Sequence, residues 1–148
     1  LNFSDVYFID RVGNKGAAAL SDALFETRSP VTVLNVNGTE IGDKGLICLS
    51  KSFEKISTLR WLDLRWNRIG SKGIGPLTLS LLKDNKDNAL QMLYLDGNRI
   101  GDEGATCLAE ALQSNFCNLK ELKLQKNNIS DKGAKILAQA LRENTSEQ

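Results

Sequence analysis

Residues able to do catalytic chemistry are sparse in this chain. Its 148 residues include no histidine, which removes the commonest general base and the commonest metal ligand together. A Ser-His-Asp or Cys-His arrangement cannot be assembled. Three cysteines remain, Cys48, Cys107 and Cys117. Cys48 and Cys107 hold the same place in two matching segments, where Ala19 and Ile136 stand in others, and they read as small core residues. Cys117 falls in a loop ahead of Leu119, where exposure is expected, but no neighbour in sequence would activate its thiolate. An odd number of cysteines without CxxC spacing gives neither a zinc site nor a secreted disulfide scaffold, so a reducing, cytoplasmic setting is expected. Turns such as Gly42-Asp43-Lys44-Gly45 resemble phosphate-cradling loops, yet none continues into the Gly-Lys-Ser/Thr of a P-loop. The sequons at Asn2, Asn37, Asn128 and Asn144 read as chance matches. No catalytic residue, cofactor or metal is expected, and the chain is not expected to be an enzyme. What remains is recognition chemistry: two tryptophans, a methionine and a tyrosine interleaved with charges.

Charge narrows the partner. Lys+Arg number 19 against 18 Asp+Glu, a formal net charge of +1, so no long-range field steers the chain toward nucleic acid or an anionic membrane. No apolar run approaches the roughly 20 residues that span a bilayer. With 41% apolar residues the chain can bury a sizeable core. Because it opens on Leu1 rather than Met, it is expected to be a piece of a longer protein.

The elements that would position the recognition residues are written in a repeat. Leu90 to Leu112 places leucines at 90, 93 and 95, then Asn98, Ile100, the turn Gly101-Asp102-Glu103-Gly104 and the helical pair Leu108 and Leu112. The turn residue recurs as Val12, Ile41, Ile69, Ile100 and Ile129, at intervals of 29, 28, 31 and 29. A period in this range means a solenoid. The expected organisation is a single domain of about five units, near 1–30, 31–58, 59–89, 90–118 and 119–142. The extra length of the third interval falls in Lys83 to Asn88, expected to be a charged loop. The opening stretch Leu1 to Asp10 fits the strand pattern poorly.

Each part of the template has a physical reason. Leu93 and Leu95 point to one side of a strand, while Asn98 can turn inward and bond backbone groups left free in the turn. Asn67, Asn98 and Asn127 should then stack as a ladder. Asn14, Asp43, Ser71, Asp102 and Asp131 sit where each helix wants an N-cap. Gly16, Gly45, Gly73, Gly104 and Gly133 fit a first helical turn lying so close to the sheet that a Cβ would clash. Pro76, in the second turn of the third helix, should kink it or delay its start.

Strand residues between the buried leucines line the opposite surface of the sheet. Four rows follow: Val33, Trp61, Met92, Glu121; Asn35, Asp63, Tyr94, Lys123; Asn37, Arg65, Asp96, Gln125; and Gly38, Trp66, Gly97, Lys126. Trp61, Trp66, Met92 and Tyr94 form an apolar centre beside Asp63, Arg65 and Asp96, with Lys123 on the last strand. These eight are the candidate partner-binding residues, and a protein partner is expected. The alternative is that the aromatics pack on one another across neighbouring strands and stiffen the sheet. At the last strand, Leu122 and Leu124 lack a following unit to cover them, while Lys120, Lys123 and Lys126 discourage edge pairing. A monomer or weak dimer is expected.

The motif LxLxxNxIGDxGA, at Leu93 to Ala105 and with Ser for Gly at Leu122 to Ala134, resembles the ribonuclease-inhibitor class of leucine-rich repeats. The likeness runs from about Val12 to Leu141. Similar repeats occur in ribonuclease inhibitor, NOD-like receptors, the Ran GTPase-activating protein, tropomodulins and bacterial effectors. The resemblance implies an α/β horseshoe with a parallel β-sheet on the concave face and α-helices on the convex face, used as a protein-binding scaffold. It also allows a GTPase-activating regulator, for which Arg68 and Arg99 would be the candidate residues.

Overall fold

The computed structural model describes residues 5–8, 10–27, 30–83, 89–114 and 117–145. Strands and helices alternate through it: β1 (Asp5–Tyr7), α1 (Gly13–Thr27), β2 (Val33–Asn35), α2 (Asp43–Phe53), β3 (Trp61–Asp63), α3 (Ser71–Thr78), β4 (Met92–Tyr94), α4 (Gly101–Leu112), β5 (Glu121–Lys123) and α5 (Asp131–Thr145). The strands form one parallel sheet in chain order, as short right-sized strand–helix units must when each returns to lie beside the last. The opening segment, which fits the strand pattern poorly, nonetheless supplies β1, with Val6 opposite Leu34. Pairing with β2 overrides its weak local pattern. Most of the Lys83 to Asn88 loop lies outside the described residues.

The register carries Leu34, Leu62, Leu93 and Leu122 in one row. The first three have no exposed surface, and with Leu46, Leu49, Phe53, Leu77 and Leu108 they make one core between sheet and helices. On β5 the same row is only half-buried at Leu122, as is Leu124 just after the strand. Cys107 packs against the core, while Cys117 is partly buried there too rather than exposed, and burial pushes the Cys117 thiol pKa up.

The asparagine ladder forms as expected. Asn67 accepts from Ile41 N at 2.9 Å and donates to Val36 O at 2.8 Å and Leu64 O at 3.1 Å. Asn98 and Asn127 repeat the pattern one unit on, to Ile69 N and Ile100 N respectively. Each amide reaches back to the preceding unit.

The helix caps correct the sequence expectation. No side chain caps its own helix at Gly42 or Gly70; the carboxylate instead reaches forward. Asp43 Oδ1 accepts from Gly70 N at 2.7 Å and Gly73 N at 3.0 Å. Asn14 does the same for Gly42 and Gly45, and Asp102 for Ser130 and Gly133. These side chains sit inside the first turn of their own helices, and the orphan N–H groups of the next helix face them across the stack. The repeated glycines are corrected with them. A Cβ at Gly73 would stand 2.8 Å from Asp43 Oδ1, and one at Gly104 would fall on Ile100 Cγ2. The crowding is with the neighbouring cap and the turn isoleucine, not with the sheet.

Ser71 breaks the series. Its hydroxyl donates to Glu103 at 3.0 Å, and Gly101 N turns away to Asn127 O at 2.9 Å. Gly101 adopts φ +62, whereas the forward-capped Gly42 and Gly70 are at −106 and −113. Gly13, which no earlier unit caps, has φ +60 and bonds Thr39 O. Pro76 does not delay α3, which begins at Ser71; a π-helical turn, Leu79–Lys83, follows it instead.

Two stability predictions follow from these contacts. Gly104→Val should destabilise the protein by about 2 kcal/mol or more, since the stiff Ile100 branch cannot yield; an unchanged urea midpoint would contradict the crowding. Gly101→Ser should cost about 1 kcal/mol or more in the natural background, because a side chain at positive φ is strained. In a Ser71→Asn background, which restores the forward cap that Asn14 makes, the same change should cost little. An additive double-mutant cycle would disprove the coupling.

Candidate protein-interaction face

The register brings the candidate residues together on the sheet face. Trp61 lies between Val33 and Met92, and Asp63 between Asn35 and Tyr94; Lys123 follows Tyr94. Trp61 and Tyr94 meet edge to face, with ring centroids 5.7 Å apart and planes at 66°. Two cations cover Tyr94, Lys123 Nζ at 4.1 Å from the ring centroid and the Arg65 guanidinium at 5.1 Å. The Tyr94 hydroxyl donates to Glu121 at 3.0 Å, and Lys123 pairs with Glu121 at 3.2 Å. These contacts hold Glu121 below the usual carboxylate range, Tyr94 being the main cause, and raise Lys123 through Glu121.

Asp63 has no exposed surface, and Tyr94 is only 9% exposed. The sequence rows place them on the surface, whereas the structure tucks them beneath Arg65 and Lys123. Arg65 clamps Asp63 with Nε at 2.9 Å and Nη2 at 2.6 Å, and its backbone N–H donates to the same carboxylate at 3.1 Å. That pairing raises the Arg65 pKa. Asn35 accepts from Asn37 N in the same way at 3.0 Å, so the row makes one local turn contact whichever residue fills it. Met92 is half-buried beside Tyr94. Asp96 Oδ1 accepts from Gln125 N at 2.7 Å.

Trp66 differs from its neighbours. It is 54% exposed, and Lys126 Nζ lies 5.2 Å from its ring. Trp61 Nε1 is buried and finds no hydrogen-bond partner among the described residues, a cost of about 1–3 kcal/mol for an orphan donor. Sequence reasoning missed Glu40, which pairs with both Arg11 at 3.1 Å and Arg68 at 3.3 Å; Glu40 sits just before Ile41, outside the strand rows. Among the described residues no cluster of acidic and cysteine side chains could hold a metal ion, and no helix is long and apolar enough to cross a membrane.

A parallel sheet in chain order, backed by one helix per strand and locked by an inward asparagine row, defines a repeat solenoid of the α/β kind. The leucine-rich repeat model matches residues 29–50, 55–77, 88–109 and 117–138. The chain belongs to the leucine-rich repeat family. No curated protein matches it in sequence. Among solved structures it is similar to the actin-binding site 2 domain of leiomodin-1, with TM-score 0.72 and 20% identity over 98% of this chain and 82% of that one. It is also similar to the tropomodulin C-terminal domain of Caenorhabditis elegans, with TM-score 0.70 and 17% identity over 99% and 88%. At these identities the likeness shows the fold.

The Asp63–Arg65 clamp predicts an asymmetry. Arg65→Ala leaves a fully buried carboxylate without its cation and should cost about 3 kcal/mol. Asp63→Asn keeps the turn contact and lets Arg65 reach solvent, so it should cost nearer 1 kcal/mol. Equal losses in denaturant titrations would show that Asp63 is not held by the guanidinium.

Proposed function

We propose that the chain is a non-catalytic interaction module of the ribonuclease-inhibitor type that grips a protein partner through its concave sheet face. Trp61, Arg65, Trp66, Met92, Asp96 and Lys123 make the contact, and Asp63 and Tyr94 hold them in place from below. The observation that carries this reading is the preorganised cluster around Tyr94, where an aromatic pair, two cations and a buried carboxylate are fixed before any partner arrives. Fixed aromatic and arginine anchors are what interface hot spots use, and fixing them in advance lowers the ordering cost of binding. A protein partner is supported by the likeness to actin-binding site 2 of leiomodin-1, and actin is the first candidate to assay. The reading takes the chain as one domain of about five units, cytoplasmic, and a monomer or weak dimer. A GTPase-activating role gains no support from the family match or the neighbours, and Arg68 is engaged by Glu40.

Affinity for actin, or for a protein recovered by affinity capture, tests the face. Trp61→Ala and Met92→Ala should each weaken binding, the tryptophan by about 2 kcal/mol, while Glu110→Ala and Gln139→Ala on the exposed helix surfaces should leave it unchanged. The reverse pattern would put the partner on the helix side and end this reading.

A further inference from the structure

Trp66 occupies a position built for glycine. The residue three before each turn isoleucine donates its N–H to the next unit, Gly38 to Arg65 O, Trp66 to Asp96 O and Gly97 to Gln125 O, each at 2.8 Å. That geometry brings positive φ: +69 at Gly38, +54 at Trp66, +71 at Gly97 and +55 at Lys126. A bulky aromatic in this region is a costly outlier, and such strain gathers at functional sites. Little of the ring is recovered as core, because Trp66 is 54% exposed. The ring rests on Gly97, where a Cβ would come within 2.7 Å of Trp66 Cδ2. Folding alone would be served by the glycine that two neighbouring units have.

The surroundings say what the exposed ring suits. In the rows from position 37 to 40 and their equivalents in the three later units, the cations are Arg65, Arg68, Arg99 and Lys126 and the anions Glu40 and Asp96. Arg65 is neutralised by Asp63, Glu40 is shared between Arg68 and Arg11, and Asp96 accepts from Gln125 N. Arg99 and Lys126 are exposed and make no ion pair among the described residues. We propose that Trp66, with Arg99 and Lys126 beside it, is the anchor for an acidic protein segment carrying one large apolar or aromatic side chain. That side chain lies against the indole, and flanking carboxylates meet the two free cations. This rests on the concave-face reading and adds the chemistry of the partner. A basic segment would meet like charge. Single-stranded nucleic acid could also stack on an indole between cations, but two free cations are few for a backbone held mainly through its phosphates.

A random dodecapeptide phage library selected on the immobilised full chain is the probe, followed by affinities of the recovered peptides and of oligothymidylate. The expected result is recovery of peptides rich in Asp and Glu around a single Phe, Trp or Leu. Their binding should fall about thirtyfold with Trp66→Gly and less with Arg99→Gln or Lys126→Gly. It should also weaken as salt is raised. Because glycine fits the backbone at position 66, Trp66→Gly should melt at the same temperature or higher. Several outcomes overturn the proposal: no peptides recovered, peptides without acidic enrichment, tighter binding of oligothymidylate, or a lowered melting temperature with Trp66→Gly. A partner lost with Trp61→Ala but indifferent to Trp66→Gly would leave the concave-face reading standing and sink this one alone.

Discussion

Backbone groups in the turn between strand and helix are buried and must find partners, and among the described residues units draw many of them from a neighbour. Asparagine amides reach backward into the preceding turn, as Asn98 does to Ile69 N and Leu64 O. Cap side chains reach forward to the next helix, as Asp43 does to Gly70 N and Gly73 N. Each junction so equipped is tied from both sides. The unit of stability is therefore the junction rather than the repeat. Because the asparagine fixes one turn against the next, it also fixes strand register, and register decides which side chains become neighbours on the sheet face.

The junction between the third and fourth units lacks the forward tie. Ser71 is too short to replace Asp43, Gly101 rotates to positive φ, and α3 passes through Pro76 into a π-helical turn. On the opposite side of the same junction lie the Trp61–Tyr94 contact and the Arg65–Tyr94 contact. Cohesion that other junctions draw from their caps is here supplemented by the aromatic and cationic side chains of the sheet face. Substitutions of Trp61, Arg65 or Tyr94 consequently act on stability, and regions with fewer ties are where local opening begins.

The repeat period, the parallel order and the leucine core were legible because they follow from spacing alone. So was the asparagine ladder, since a polar residue recurring between apolar ones has to face inward for a reason. The caps were legible as residue types but not in direction: Asp43 has the spacing of a local cap, and only three dimensions show Gly70 N nearer to it. β1 was hidden because pairing with β2 compensates for a weak pattern. On the sheet face, alternation placed Asp63 and Tyr94 correctly but could not show their depth, which depends on Arg65 and Lys123 folding over them. The left-handed backbone at Trp66 was signalled by the Gly38 and Gly97 that share its row.

The face combines two different mechanical states. Around Tyr94 the side chains are locked by burial, ring contacts and a carboxylate clamp, and such groups contribute to binding without first being ordered. At Trp66 the backbone is held in an unfavourable region by its N–H donation to Asp96 O, while the ring, seated on Gly97, stays largely in solvent. For the partner proposed above, the locked centre would give shape to match, and the exposed indole would give surface still to bury. Binding energy that depends on both requires a partner that spans β3 and β4. Because the junction between those strands has no forward cap, a partner spanning it also ties the third and fourth units together, so occupancy and cohesion of the solenoid are linked through the same contacts.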